Sequence, residues 1–111
     1  MDNNIRIIRE GSYRHLLVNE VHVGEMEVCA SRRIENAVEI WGFGIVNKYQ
    51  GLGFGQQFLQ EVINQYKEGT IILFVYKNNA RAIHIYEKLG FRITGEYKCG
   101  TAWEMHLLPQ N

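Results

Sequence analysis

Three glycines in five residues, within Gln50-Gly51-Leu52-Gly53-Phe54-Gly55, divide this chain into two halves of different hydrophobic period. Before them the apolar residues come in short β-rich runs. Ile5–Arg9 ends at Glu10-Gly11-Ser12, Tyr13–Val18 leads into an Asn19-Glu20 hairpin turn, and Val21–Ala30 follows. In that third run Val21, Val23, Glu25 and Glu27 alternate onto one face, with His22, Met26 and Val28 on the other. Ala37–Val46 is a fourth strand, and its Gly42 and Gly44 signal a bulge or a close approach to the backbone. After the glycines, Phe58, Leu59, Val62, Ile63 and Tyr66 mark one face of a helix that Glu68-Gly69 closes. Thr70–Tyr76 reads as a buried central strand. Asn79–Leu89 is helical, with Ala82, Ile83, Tyr86 and Leu89 on one stripe and Gly90 as its stop. Arg92–Lys98 and Thr101–Leu108 are two last strands joined near Gly100.

This order predicts an α/β (α+β) domain: a mixed, mostly antiparallel sheet of six to seven strands with two main helices. A length of 111 residues fits one domain, residues 1–111, with room for a real core. Twelve basic residues balance twelve acidic ones, so no broad field draws in nucleic acid or an anionic membrane. The polar start Met1-Asp2-Asn3-Asn4 and the lack of a long apolar stretch predict a cytoplasmic protein. Cys29 and Cys99 have no C-x-x-C partner, which argues against a zinc knuckle or redox dithiol. A single disulfide stays open, but their apolar surroundings favour two buried free thiols.

A glycine turn between a strand and a helix lets the backbone approach a ligand, while the helix's first N–H groups and macrodipole favour an anion. A plain geometric turn explains the glycines equally well. A dinucleotide fingerprint needs a third glycine at Gln56 or Phe58, and a P-loop needs Gly-Lys-Ser/Thr where Gly55-Gln56-Gln57 stands. Neither motif is met.

The spacing Gln50-x-x-Gly53-x-Gly55 resembles the acyl-CoA signature of the GNAT superfamily of N-acetyltransferases. Asn79-x-x-Ala82-x-x-x-Tyr86-x-x-x-Gly90-Phe91 resembles that family's later motif, a helix running into a strand beside the cofactor. The resemblance implies an N-acetyltransferase that moves an acetyl group from acetyl-CoA to a primary amine by direct transfer in a ternary complex, without a metal. It implies a strand parted from its neighbour, with the backbone of Ile45 and Val46 bonding the pantetheine. Gln50, Gly51, Leu52, Gly53, Phe54, Gly55 and Gln56 would surround the pyrophosphate, with Asn79 on the other side. Lys48 and Arg81 read as solvated surface residues near that charge. Tyr86 aligns with the family's tyrosine beside the thioester sulfur, and Glu39 with its base; core packing for Tyr86 and a solvent-facing place on the strand for Glu39 are the alternatives. His22, His106 or a relayed water are alternative bases. The acceptor would be a small-molecule or protein amine, and a homodimer fits the family. One departure stands out. Only Glu10-Gly11-Ser12 separates the first two strands, where family members carry helices that wall the acceptor site. A non-catalytic acyl-CoA-binding or interaction module is therefore the alternative.

Overall fold

The computed structural model describes residues 3–110; Met1 and Asp2 of the polar lead-in, and Asn111, lie outside the described residues. The elements follow the order β1 (Ile5–Glu10), β2 (Tyr13–Val18), β3 (Val21–Ala30), β4 (Ala37–Ile45), a 3₁₀ turn (Asn47–Tyr49), α1 (Phe54–Tyr66), β5 (Thr70–Tyr76), α2 (Ala80–Lys88), β6 (Arg92–Tyr97) and β7 (Ala102–Leu107). Seven strands among the described residues form one sheet in the order β1-β2-β3-β4-β5-β7-β6. Only the central β4–β5 pair is parallel. That pairing obliges the chain to cross back over the sheet, and α1 is the crossover. β1 turns straight into β2 through Gly11-Ser12.

Asn19 and Glu20 carry φ of 51° and 66°, the left-handed pair that a two-residue hairpin loop needs. In β3 the simple alternation fails. A register shift opposite Leu16 and Leu17 inserts one residue, so Val23 turns inward with Met26 and Val28 instead of outward with Glu25 and Glu27. A bulge resets phase in a way that counting by twos cannot show.

One face of the sheet carries the core. Phe58, Leu59, Val62 and Ile63 of α1 are buried there against Ile40, Ile71, Leu73 and Met105, and Tyr86 of α2 joins them. Truncating Phe58, which is 0% exposed, removes about 3–5 kcal/mol of stability. Arg14, buried on the same side, donates to the Tyr66 hydroxyl at 2.6 Å and to the carbonyls of Gly11 and Tyr13 at 3.3 Å, tying the end of α1 to the β1–β2 turn.

The cysteine expectation is corrected. Cys29 is half-buried and Cys99 exposed, and both are free. Cys99 does not lie in a strand: Lys98, Cys99 and Gly100 have φ of 53°, 54° and 84°, a left-handed turn that lifts the thiol out.

Candidate active site

The parallel pair parts halfway along its length. β4 and β5 are in register from Ala37 opposite Thr70 to Ile40 opposite Leu73, and beyond that they no longer pair. The cause lies in β4. Opposite Glu25–Glu27 of β3, the interval from Trp41 to Gly44 holds one residue too many, and Gly42 absorbs it at φ 62°. Glycine reaches that conformation without the Cβ penalty. The bulge also changes which side chains face inward. Val38 and Ile40 before it, and Phe43 and Ile45 after it, all pack toward the helices. Glu39 and Trp41 project from the opposite, helix-free face.

Two cavities flank the opening, of about 400 and 380 Å³. Phe43, Asn79 and Tyr86 line both, so the two spaces meet at the Tyr86 ring. The smaller one runs along Gly44 and Ile45 to Gln50, Gly51, Gly53, Gly55 and Gln56. Gly53 caps α1 at φ 88°, with no side chain bonding the helix end. The first intrahelical bond runs from Gln57 N–H to Gly53 C=O at 3.1 Å, which leaves the N–H groups of Phe54, Gly55 and Gln56 without intrahelical acceptors. A Cβ on Gly53 would meet no protein atom within 4 Å. The backbone is bare toward the cavity. These residues therefore fit a diphosphate: open main chain, free donors and the positive end of a helix.

Gln50 holds the loop in place, donating from Nε2 to the Ile45 carbonyl at 2.8 Å and to Asn47 Oδ1 at 3.1 Å. Val46 N–H bonds Val23 C=O, and Val46 C=O accepts from Tyr49 N–H, both at 2.8 Å, so the Val46 backbone is already engaged. Strand alternation then turns the Ile45 N–H away from β3, toward the opening. Among the proposed cofactor residues, Val46, Leu52 and Phe54 side chains do not line the cavity. Leu52 is 65% exposed, and Phe54 is buried in the core. Arg81 is the residue that sequence reading undervalued. It lines the cavity, and its guanidinium Nη2 lies 3.4 Å from where a Gly51 Cβ would stand, over the glycine loop. Its position on the first turn of α2, two residues after Asn79, was the available signal. Lys48 instead stacks its ammonium over Tyr49 at 5.9 Å, outside both cavities.

Asn79 caps α2 by accepting from Ala82 N–H at 3.2 Å, so it has a structural duty besides its place in both cavity walls. Tyr86 sits near the C-terminal turn of α2, where its carbonyl accepts from Phe91 N–H at 3.0 Å. Among the described residues no group bonds its hydroxyl, and no fully buried polar side-chain atom lacks a partner, so the hydroxyl reaches the cavity. Burial of the ring pushes this phenol up to about 12. It remains protonated at neutral pH and so keeps a hydrogen to donate.

Glu39 does not join Tyr86. It lines neither cavity; its carboxylate accepts from Trp41 Nε1 and from Ser31 Oγ, both at 3.0 Å. Nearby, Arg33 donates to Glu104 at 2.8 Å and His106 lies 2.6 Å from the same oxygen. Burial pushes the Glu104 carboxyl up, but these two partners outweigh it and hold it below its ordinary range. His22 contacts His15 at 3.1 Å on the β2–β3 hairpin, away from the opening. The larger cavity is walled instead by aromatic rings from three strands. Trp41 stacks on Phe74 with centroids 4.5 Å apart, and Phe74 meets Tyr97 at 4.4 Å.

A parted parallel pair, a bare glycine loop at a helix start and a tyrosine between two cavities make up the candidate site. Residues 9–91 match the family model of the Acetyltransferase (GNAT) family, and the chain belongs to that family. Over 58 residues it is 38% identical to a spermine/spermidine N(1)-acetyltransferase of Bacillus subtilis, a stretch that covers 49% of this chain and 38% of that one. The fold is shared with the ribosomal-protein-S18-alanine N-acetyltransferase of Escherichia coli, at TM-score 0.75 and 21% identity over 93% of this chain and 74% of the other. It is also shared with the PaiA N-acetyltransferase of Thermoplasma acidophilum, solved with coenzyme A, at TM-score 0.73 and 19% identity over 86% and 59%. The matched stretch is thus less than half the length of the B. subtilis relative.

Proposed function

We propose that this chain, acting as one domain over residues 1–111, transfers an acetyl group from acetyl-CoA to a primary amine in a ternary complex. The observation that carries the reading is the β4–β5 opening with a cavity on each side, meeting at Tyr86. Acetyl-CoA supplies the acyl group already activated as a thioester. The free N–H groups of Phe54, Gly55 and Gln56 bind its diphosphate, and Arg81 adds a charge-assisted donor. The Ile45 N–H offers the pantetheine arm a strand-edge donor. Tyr86 donates a hydrogen bond to the departing sulfur. With the phenol near 12 and a free thiol near 8.5, full proton transfer is uphill, so its work is stabilisation.

Glu39 remains the proposed base for an amine that arrives protonated. It reaches the cavity only through a relay, because Trp41 and Ser31 occupy its oxygens. The acceptors named for the relatives, a polyamine and a ribosomal protein's alanine, are both amines, and the acceptor here belongs to that broad class. Free thiols at Cys29 and Cys99 suit a reducing cytoplasmic setting. Among the described residues no helix is long and apolar enough to cross a membrane. Because β1 runs straight into β2, a second copy of the chain is proposed to complete the acceptor side as a homodimer.

Titration calorimetry with acetyl-CoA, followed by thiol release across a panel of amines, tests this reading. Micromolar binding with release that depends on an amine is expected. Tight binding with no acceptor in any assay points to the non-catalytic module, and no binding at millimolar acetyl-CoA removes the site.

A further inference from the structure

We propose that the acceptor is an aromatic amine carrying an acidic group, a molecule the size of an aminobenzoate, and not a polyamine. The inference rests on the transfer reading and deepens it. Its ground is the wall of the larger cavity, on the side of Tyr86 away from the glycine loop.

Three features of that wall converge. Its floor is aromatic. Trp41, Phe74 and Tyr97 lie half-buried with centroid separations of 4.4 to 6.0 Å, packed ring against ring beside the cavity. Such a floor takes a planar ring by offset or edge contact, and about 400 Å³ accommodates a small molecule.

Second, among the described residues no Asp, Glu or His lines this cavity. A polyamine needs carboxylates to hold its ammonium groups and a base to free one nitrogen, since alkylammonium groups titrate near 10.4. An arylamine needs neither. Its nitrogen lone pair is delocalised into the ring, so it is neutral at pH 7 and nucleophilic as it enters. Glu39, held on the Trp41 indole, does not line the cavity, and its relayed base role is called on only by an amine that arrives protonated.

Third, the one charged side chain on the wall is a cation. Lys98 stands at the rim, bonded to the Tyr76 hydroxyl at 3.3 Å and 5.6 Å above the Tyr76 ring. Aromatic rings alone would attract an ammonium. A lysine already seated over the rim ring opposes a second cation and welcomes a carboxylate.

The reaction follows simply. The amine nitrogen's lone pair forms the C–N bond to the thioester carbonyl carbon. The C–S bond breaks with its electron pair on sulfur, the nitrogen's proton ends on that sulfur, and the products are an N-acetylated arylamine and coenzyme A.

Binding and turnover are tested separately, so that this proposal and the transfer reading fail differently. Quenching of tryptophan fluorescence in the CoA-saturated protein measures affinity for 4-aminobenzoate, aniline and spermidine. The expected order is 4-aminobenzoate first, spermidine weaker by about tenfold or more. Lys98→Gln should erase the roughly threefold to fivefold advantage of 4-aminobenzoate over aniline, the size of an exposed ion pair, and leave aniline unchanged. Spermidine binding as tightly as 4-aminobenzoate overturns the proposal, as does no aromatic binding at all. Aromatic binding without thiol release upholds the pocket and overturns the transfer. A Lys98→Gln variant that keeps the full advantage overturns Lys98 as the partner of the acidic group.

Discussion

The two cavities that meet at Tyr86 are built from different materials. The one beside α1 is made of main chain: bare glycine backbone, unclaimed N–H groups and the Ile45 strand edge. The other is made of side chains, three rings delivered by β4, β5 and β6 and a lysine from the β6–β7 turn. A backbone site recognises what all its ligands share, a phosphate chain and two amides. A side-chain site recognises what differs between ligands. One half can therefore persist while the other is rebuilt.

The strongest way to break this contrast is at Gly53. Gly53→Val places a β-branched side chain into the cradle, where no protein atom lies within 4 Å, and forces it to φ 88°. Losing two hydrogen bonds to a charged ligand should weaken acetyl-CoA by about 10²–10⁴-fold in calorimetry. Strain would also lower stability, so Gly53→Asn, which tolerates the left-handed region, is the companion. It should melt closer to the parent yet bind weakly. A Gly53→Asn protein with parental affinity would mean that the backbone there faces nothing.

Tyr86→Phe comes next, because it probes the meeting point. With the phenol kept protonated by burial, its loss removes a donor without touching the diphosphate cradle. Turnover should fall on the order of 10²-fold while acetyl-CoA affinity holds. Since the folded phenol titrates near 12 and an unfolded one near 10, the burial of the neutral form stabilises fully below pH 10 and is lost as pH rises toward 12. Tyr86→Phe should accordingly flatten the alkaline fall in urea stability. Parental turnover would leave Tyr86 as core packing alone.

How much of this was open to sequence reading divides along the same line. The glycine spacing, the Tyr86 stripe and the seven-strand order are local patterns, and Gly42 with Gly44 foretold the bulge that parts the strands. The β3 bulge escaped notice because the residues opposite it belong to β2, so Val23 fell on the wrong face. The Trp41–Phe74–Tyr97 floor was invisible for the same reason. Its members are 33 and 23 positions apart in sequence and become neighbours only through the strand order β4-β5-β7-β6 and the partial pairing of β4 with β5. Glu39 failed to enter the cavity because the residue two places on, Trp41, captures its carboxylate. Offset in sequence says where a side chain starts and not which neighbour it meets.

Arg81 offers a smaller test of the backbone half, since it is the side chain that reaches over the glycine loop. Removing one charge-assisted contact at a partly solvated site should weaken acetyl-CoA by about tenfold in Arg81→Gln. Raising ionic strength should shrink the difference between parent and variant. Truncated ligands lacking the diphosphate should bind both proteins alike, whereas an equal loss for such ligands would assign Arg81 to helix packing.

The smallest effect tests whether the scaffold and the cradle are separable. Tyr66 takes the hydroxyl end of the buried Arg14 contact at the far end of α1 from Gly53. Tyr66→Phe leaves that guanidinium with two long carbonyl contacts at 3.3 Å and should cost about 1–3 kcal/mol in urea unfolding. Acetyl-CoA affinity of the folded protein should not move, because the free N–H groups at the opposite end of the helix are set by the Gly53 cap and by Gln50. If affinity falls in step with stability, α1 transmits its anchoring along its length, and the backbone site depends on side chains after all.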